Sequence, residues 1–597
     1  MSTATLSSKS RRVIADPLTG IDPITVEVIR NLFISAAEEM KINLARTAYN
    51  PVVFEMYDFA VGLFDLQGNM IAQAPGLPVF LGTLGENVRV VTQDIGGLEN
   101  FHPGDLYLVN DPYAIGSHLA DVTSVSPIFF EGELVGFSAA KMHWLDIGGK
   151  DPGSWSNTTN VYQEGLRFRS VKLYDAGEQV EPVFQIIRYN VRLSHAAIGD
   201  LRAQVASTRT GERRFVYILE KYGKQTVYEA IEHIYRHSEK LAQLAVKKIP
   251  DGVYEAVGYM DNDGLDLQTE NLPMKVRVTV RGTEMEVDLT GSAPQNKGPV
   301  NCGVAATISA VRMAFKCLTT PSLPVNEGNF KNLRVVIPPR TMFSAEYPAP
   351  TCQWALHLIT LIDTIIKAFL PAIPTQVPAG HYSDFGVFII YGFDPRNGRD
   401  FIHTDSSSGG WGGRPHEDGE SSLICIVDGD SKNIPAEIIE HQYPVRIERF
   451  SLREDSGGAG VFRGGLGHFR DYRVLSDGVK VVIGIDRHNY RPYGALGGGE
   501  GLSNDVILNP GPNQQAIRKV SDFAVPKGSL ISLISGGGGG YGPADERYPQ
   551  SVLNDILEGY VTPECARQSY GIAISGTQID TAETSRLRQH LSSGRKQ

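Results

Sequence analysis

Residues 110–121 read N-D-P-Y-A-I-G-S-H-L-A-D, and residues 141–149 read K-M-H-W-L-D-I-G-G. Between them, Val122 to Phe130 is rich in β-branched and aromatic residues and reads as a strand. Glu131-Gly132-Glu133 is a turn, and Leu134 to Met142 reads as the return strand. Two His-x-x-Asp pairs, His118/Asp121 and His143/Asp146, therefore bracket one hairpin. A three-residue loop at 131–133 sets Asp121 opposite His143 and brings His118 near Asp146. A two-residue loop shifts the register by one and turns one member of the pair to the other face.

Working outward, Asp22-Pro23 has the signature of a helix start, with Asp as N-cap and Pro at the first helical position. Ile24, Val28, Leu32, Ala36, Met40 and Leu44 recur at helical spacing and are expected to face a core, and the helix is expected to end near Tyr49-Asn50-Pro51. Residues 52–65 are strand-like and carry Glu55, Asp58 and Asp65; residues 79–97 hold a helix; Leu106 to Val109 is a strand delivering the Asn110-Asp111-Pro112 corner. Residues 183–247 read as largely helical, with His233 and His237 on a solvated face. Near residue 250 the pattern turns to antiparallel strands, with Asp261-Asn262-Asp263-Gly264 as a hairpin turn. Apolar helices follow at 304–317 and 355–370.

From about 400 the chain becomes Gly-rich and strand-like, with candidates at 444–452, 467–474, 479–486 and 529–535. The glycine runs lack the Lys-Ser/Thr of a phosphate loop and read as tight backbone turns. The expected fold class is α+β multidomain. A mixed α/β metal-bearing region spans 21–250, a central α+β region 251–400, and a Gly-rich, mainly β region 401–545. A helical segment follows at 546–575, with disordered tails at 1–20 and 576–597.

Bulk properties narrow the function. The 597 residues carry a net charge of −11, and no Lys/Arg-rich face is evident, which argues against nucleic acid. Hydrophobic residues make up 42%, but Gly, Pro or charge breaks every long apolar run, so no membrane span is expected. The N-terminus has basic residues without an apolar core behind them, which is not a secretory signal. Five scattered cysteines without C-x-x-C spacing fit a reducing, cytoplasmic setting. No G-x-S-x-G elbow supports a serine hydrolase.

Histidine and carboxylate around one point suit Zn, Mn or Fe(II). The expected ligands are Asp58, His118, Asp121 and His143, with Asp146 and Glu55 as orienting groups or a fifth ligand. The plainer reading is that these residues cap turns at a hairpin end. His381 and His403 lie near Gly-rich loops and suit a pocket wall or a structural role equally.

These segments resemble the hydantoinase B family, which includes the B-type chains of ATP-dependent hydantoinases and lactamases, the C-terminal half of oxoprolinase, and large subunits of acetone and acetophenone carboxylases. The matching pieces run in order along nearly the whole chain: D-P-I-T-V-E-V-I-R-N, E-M-Y-D-F-A-V-G-L-F-D, H-P-G-D-L-Y-L-V-N-D-P-Y, S-H-L-A-D-V, H-W-L-D-I-G-G, Y-Q-E-G-L-R, G-P-V-N-C, G-G-W-G-G-R-P and E-D-S-G-G-A-G-V-F-R-G-G-L-G. The resemblance implies an A-type partner that binds ATP and phosphorylates the substrate oxygen, while the B-type chain carries one divalent transition metal on Asp58, His118, Asp121 and His143. It implies catalytic roles around His118, Asp121, His143 and Asp146. In the hydrolases, metal-bound hydroxide attacks the activated carbonyl; in the carboxylases, activated bicarbonate supplies CO2 to an enolate. Where many hydantoinase-type members read H-I-P-V-H-L-G, this chain reads G-L-P-V-F-L-G at 76–82. Gly76 and Phe80 replace two histidines, which points to a more apolar substrate: a lactam with an aliphatic ring, or an aromatic ketone. The expectation is a cyclic-amide hydrolase subunit in a hetero-oligomer, with a ketone carboxylase subunit or a non-catalytic scaffold as rivals and the Gly-rich loops as a candidate interface.

Overall fold

A computed structural model describes residues 20–80, 82–153, 157–265 and 271–594. The expected tail at 1–20 lies outside them except for Gly20. The organising element is an antiparallel sheet of seven strands: β1 (Phe59–Phe64), β2 (Met70–Gln73), β3 (Leu106–Val109), β4 (Asp121–Phe130), β5 (Glu133–His143), β6 (Val171–Asp175) and β7 (Glu178–Gln179). Their order is β2-β1-β5-β4-β3-β6-β7. Helices cover both faces, so β1 and β3 are buried throughout and read as apolar runs, while β4 buries its first eight residues, Ser and Thr included.

One face packs on Pro23–Thr47, Ser194–Tyr222 and Lys224–Val246, and takes Phe59, Val61, Val122, Ala140 and Met142. The other packs on Thr83–Asp94, Val304–Thr319 and Leu356–Ala368, and takes Ala60, Phe64, Val125, Phe137 and Ala139. This alternation is the two-residue period of extended chain. The first face also carries a polar seam. Gln204 donates to the Val122 and Ala140 carbonyls at 2.8 and 2.7 Å, and Ser124 meets Thr208 at 2.7 Å, so these buried polar groups are partnered.

The hairpin register sets Asp121 opposite His143, as a three-residue loop requires, yet the loop is shorter. Phe130 pairs with Glu133 across Glu131-Gly132, both at positive φ, the backbone of a two-residue turn. An irregularity next to Val135 then restores the register, so Ile128 faces Gly136 and the site end pairs as expected.

The first helix starts where expected: the Asp22 carboxylate accepts from the Ile24 and Thr25 amides. Its buried stripe, however, is Val26, Ile29, Phe33, Ala36, Ala37, Met40 and Leu44, while Ile24 and Val28 are exposed. Strict four-residue steps advance about 400° each at ~100° per residue, so a row begun at Ile24 drifts about 200° by Leu44. The buried stripe mixes three- and four-residue steps.

Farther on, Gly252–Met260, Leu272–Arg281, Glu284–Asp288 and Leu333–Val336 form a four-stranded sheet against Leu356–Ala368. Asp261 does not close a tight hairpin; its carboxylate accepts from the His488 and Asn489 amides at 2.7 and 3.1 Å, tying this sheet to the C-terminal part. That part contains sheets of four and five strands around a shared core. Val387–Asp394 pairs with Arg399–Asp405, so the boundary expected at 400/401 falls inside a hairpin.

The glycine runs are not turns. None of Gly536–Gly540 has positive φ, and all are buried. Extended backbones pass so closely that a Cβ on Gly538 would sit 2.0 Å from the Trp411 carbonyl oxygen, and one on Gly464 would sit 2.0 Å from the Gly538 oxygen. This run is therefore interior packing rather than an exposed interface. The stretch 576–597, expected as a disordered tail, instead carries the strand Gln578–Ile579 and the helix Thr581–Gly594. No helix among the described residues is long and apolar enough to cross a membrane.

Candidate metal centre

Three neighbouring strands aim carboxylate and imidazole at one point. Asp121 begins β4 and His143 ends β5, directly opposite each other. Phe59 on β1 pairs with Met142, so Asp58, one residue before β1, lies beside His143, whose amide donates to the Asp58 carbonyl at 3.2 Å. By the two-residue alternation Asp58, Asp121 and His143 share a face. His118 arrives from the loop after the short helix Pro112–Ile115, which Asp111 caps.

The donor atoms of His118, Asp121 and His143 all lie within 4.8 Å of one another. His118 Nε2 is 3.0 Å from Asp121 Oδ1, His143 Nδ1 is 3.2 Å from His118 Nε2, and His143 Nδ1 is 3.5 Å from Asp121 Oδ1. On its other side, His118 Nδ1 is 3.1 Å from the Cys352 carbonyl oxygen. A carbonyl only accepts, so Nδ1 carries a hydrogen and Nε2 is the ring atom turned to the cluster, free to give its lone pair to a cation. Lone pairs at these distances repel unless a proton or a cation stands among them. The spacings bracket the edge of a tetrahedron about a metal with bonds of 2.0–2.1 Å, about 3.4 Å. Asp121 Oδ2 is buried with no hydrogen-bond partner. The residues present thus fit a divalent metal.

The electrostatics agree. Burial would raise Asp121, but His118 and His143 outweigh it and hold its carboxyl well below the usual range. Burial would lower His143, but Asp121 and Asp58 raise it. Asp58 is pushed up to about 6 by burial and by Asp121, against the opposing pull of the two histidines. Asp428, 3% exposed, is raised well above a normal carboxyl by burial and by Asp58 and Asp121. A fourth acid on the pocket wall, Asp405, is neutralised by Arg470 at 2.7 Å, but the crowding of Asp58, Asp121 and Asp428 is an arrangement that a dication relieves. The nearby cation is Lys141, fully buried on the same face, bonded to Thr83 and Ser117 at 3.3 and 3.2 Å and lowered to about 8 by burial.

The cluster opens on a small cavity of about 60 Å³ whose other walls are largely apolar. Phe80 lines it and lies against Trp354, ring centroids 6.0 Å apart and planes 22° apart; Gly76 does not line it. Asp58 lines the cavity but stands outside the three-residue donor cluster, and Glu55 does not reach it.

Asp146 is not brought to the site. The strand ends at His143, and Asp146 instead binds Arg192 Nη1 at 2.8 Å and the Gly148 amide at 3.3 Å, clamping the turn onto the 190–192 segment. The group that orients His118 is the Cys352 carbonyl, and Glu164 holds the two peptides that precede it in place. Fully buried, the Glu164 carboxylate accepts from the Thr351 and Cys352 amides, each at 3.0 Å, and from Thr158 Oγ1 at 2.7 Å. Asp428, Cys352, Trp354 and Glu164 carry no motif that reads as a metal site. Glu164 does sit in the Y-Q-E-G-L-R segment, the signal that marks it.

Among other groups, His237 pairs with Arg30 at 3.1 Å on the helix surface. His403 is buried between Tyr443 and Tyr472. Cys302 lies 3.2 Å from His357 Nε2, but both are fully buried and burial pushes the thiol up to about 12, unsuited to a nucleophile.

The chain is similar to known proteins over nearly its whole length. The chain is 33% identical over 592 residues to the B chain of a putative D-/L-hydantoinase from Pseudomonas sp. (strain NS671), covering 96% of this chain and 99% of the other. It is 32% identical to the beta chain of the caprolactamase from Pseudomonas jessenii, covering 94% and 98%. The crystal structure of the ATP-dependent caprolactamase from that organism superposes with a TM-score of 0.88 at 30% identity, covering 95% of this chain and 100% of that one. A nucleotide-free acetone carboxylase structure shares the fold at 20% identity, with a TM-score of 0.87 over 97% and 84%. The family model for hydantoinase B/oxoprolinase matches residues 22–544. By these matches the chain belongs to the hydantoinase B/oxoprolinase family.

Proposed function

We propose that this chain is the metal-bearing B-type component of an ATP-dependent cyclic-amide hydrolase acting on a lactam with an aliphatic ring. The observation that carries the reading is the convergence of His118 Nε2, His143 Nδ1 and the Asp121 carboxylate, whose Oδ2 is buried without a partner, on a largely apolar pocket. His118, Asp121 and His143 would hold the metal, with Asp58 as the fourth group beside them. A bound divalent metal supplies Lewis-acid polarisation and a water whose pKa falls from 15.7 to about 7.

The chain's own residues do the rest. The Cys352 carbonyl fixes the His118 tautomer and so keeps a lone pair on Nε2. Asp428 keeps a further acid group on the pocket wall, where a proton can be held. Phe80, Trp354, Leu77, Val79 and Leu356 line the pocket and exclude water. ATP is used by an A-type partner that activates the amide oxygen, a reading supported by relatives that are themselves named as single components of multi-chain enzymes.

The test is to incubate the purified chain with its ATP-binding partner, ATP, and either caprolactam or hydantoin. The expected product is the ring-opened amino acid, with the lactam preferred. A carbon–carbon product that requires bicarbonate would overturn the hydrolase reading in favour of a ketone carboxylase.

A further inference from the structure

We propose a second ligand site, for an anion of the phosphate class, in a cavity of about 410 Å³ between the central sheet and the loop 486–493. Its walls carry three cations, Lys367, Arg487 and Arg491. The first observation is the state of Arg487. Four arginines are buried among the described residues: Arg463, Arg470, Arg487 and Arg547. Arg463 faces Asp555, Arg470 faces Asp405 at 2.7 Å, and Arg547 faces Asp418 and Asp555 at 2.6 and 2.8 Å. Arg487, 5% exposed, has no ion pair among the described residues. Its side chain makes one hydrogen bond, Nη2 to the Arg491 carbonyl at 3.3 Å, and Nε has no partner. A buried guanidinium without a counter-charge costs several kcal/mol, so a site that keeps one is arranged for an anion supplied from outside.

The second observation is the backbone. Arg487 sits at φ +62°, a strained conformation for a residue with a long side chain. The loop is held in place by the Asp261 carboxylate, which takes the His488 and Asn489 amides. The third is the neighbouring donor set. The Tyr493 hydroxyl is buried with no partner, and Lys367 Nζ lies 4.7 Å from the Tyr493 ring centroid, in no ion pair among the described residues.

Two carboxylates also line the cavity. Asp363 is engaged from its far side by Ser383 Oγ at 3.1 Å and His381 Nδ1 at 3.3 Å, and Glu500 is exposed. Arg491 and Glu500 are both solvated, which leaves Arg487 and Lys367 facing one acid that is already occupied, and the guanidinium fork matches phosphoryl oxygens better than a lone carboxylate. The same chemistry is offered by free inorganic phosphate and by the phosphoryl group of a phosphate ester.

The site is independent of the metal pocket, so its test does not depend on the hydrolase reading. The full chain, stripped of metal with a chelator, is titrated calorimetrically with inorganic phosphate, AMP and acetate. Saturable one-site binding of phosphate or AMP is expected, at least tenfold tighter than acetate. Phosphate alone assigns the site to the free ion, and AMP alone to an ester. Lys367→Gln, on a half-exposed side chain, should weaken binding at least tenfold, and Arg487→Gln should abolish it while leaving the melting temperature unchanged or raised. His118→Ala should bind as the wild type does. No saturable binding, acetate equal to phosphate, unchanged affinity in both cavity variants, or loss in His118→Ala would each overturn the proposal.

Discussion

Glu164 never touches the metal cluster, yet the structure makes it decisive for His118. Replacing it with Ala removes the acceptor for the Thr351 and Cys352 amides and for the Thr158 hydroxyl, all inside a fully buried pocket. Each unsatisfied buried donor costs ~1–3 kcal/mol, so with partial relief from entering water the loss of stability should be on the order of 3–5 kcal/mol. Glu164→Gln keeps one oxygen where three of the donors converge and should cost only about 1 kcal/mol. In the alanine variant the Cys352 peptide turns, its carbonyl leaves His118 Nδ1, and the imidazole is free to rotate or change tautomer. Losing such a supporting partner weakens metal binding by roughly 10–100-fold. Denaturant unfolding gives the first quantity and competition with a chromogenic chelator the second. Wild-type stability in Glu164→Ala, or metal bound by it as tightly as by the wild type, would rule out this role for Glu164.

Asp200, buried and pushed up to about 6, accepts from the Tyr49 and Asn50 amides at 2.6 and 3.3 Å through one oxygen. Because the folded value is raised, the stability it contributes is complete below the ordinary carboxyl value near 4 and is lost as pH rises through about 6. Asp200→Asn keeps the accepting oxygen without the charge, so it should gain on the wild type between pH 4 and 7 by up to on the order of 3 kcal/mol; a difference independent of pH in urea melts would contradict this. Arg192→Ala leaves buried Asp146 with backbone donors alone and should cost about 3 kcal/mol with metal content unchanged, whereas loss of metal would return Asp146 to the site. Gly538→Ala places a Cβ 2.0 Å from the Trp411 oxygen, and should yield no soluble folded chain; a cooperative melt near the wild-type temperature would disprove the close-packed reading of the glycine run.

The hairpin is legible in the sequence because its β-branched and aromatic runs, its turn and its flanking His-x-x-Asp pairs are local. The pairing of Asp121 with His143 stands even though the loop is one residue shorter than a three-residue turn, since the irregularity near Val135 offsets the difference. A bulge of this kind has no residue signature, so the right register follows from the wrong loop. Asp58 is marked in the sequence by the segment E-M-Y-D-F-A-V-G-L-F-D, but the pairing of the strand after it with β5, which sets it beside His143, shows only in the structure. Asp146 is misplaced by extending the ladder beyond the strand's end. Asp428, Trp354 and the Cys352 carbonyl reach the pocket from more distant segments, and a backbone carbonyl acting as an orienting group leaves no mark in the sequence. The glycine run misleads for a related reason: glycine signals both positive φ and close approach of backbones, and only the packing shows which applies.

The central claim is that His118, Asp121 and His143 hold one divalent metal. Elemental analysis of the purified chain, compared with His118→Ala and His143→Ala variants that keep the wild-type circular dichroism spectrum, addresses it directly. About one equivalent of Zn, Mn or Fe per wild-type chain is expected, with a large loss in both variants. A wild-type chain that takes up no transition metal on reconstitution, or variants that retain a full equivalent, would contradict it.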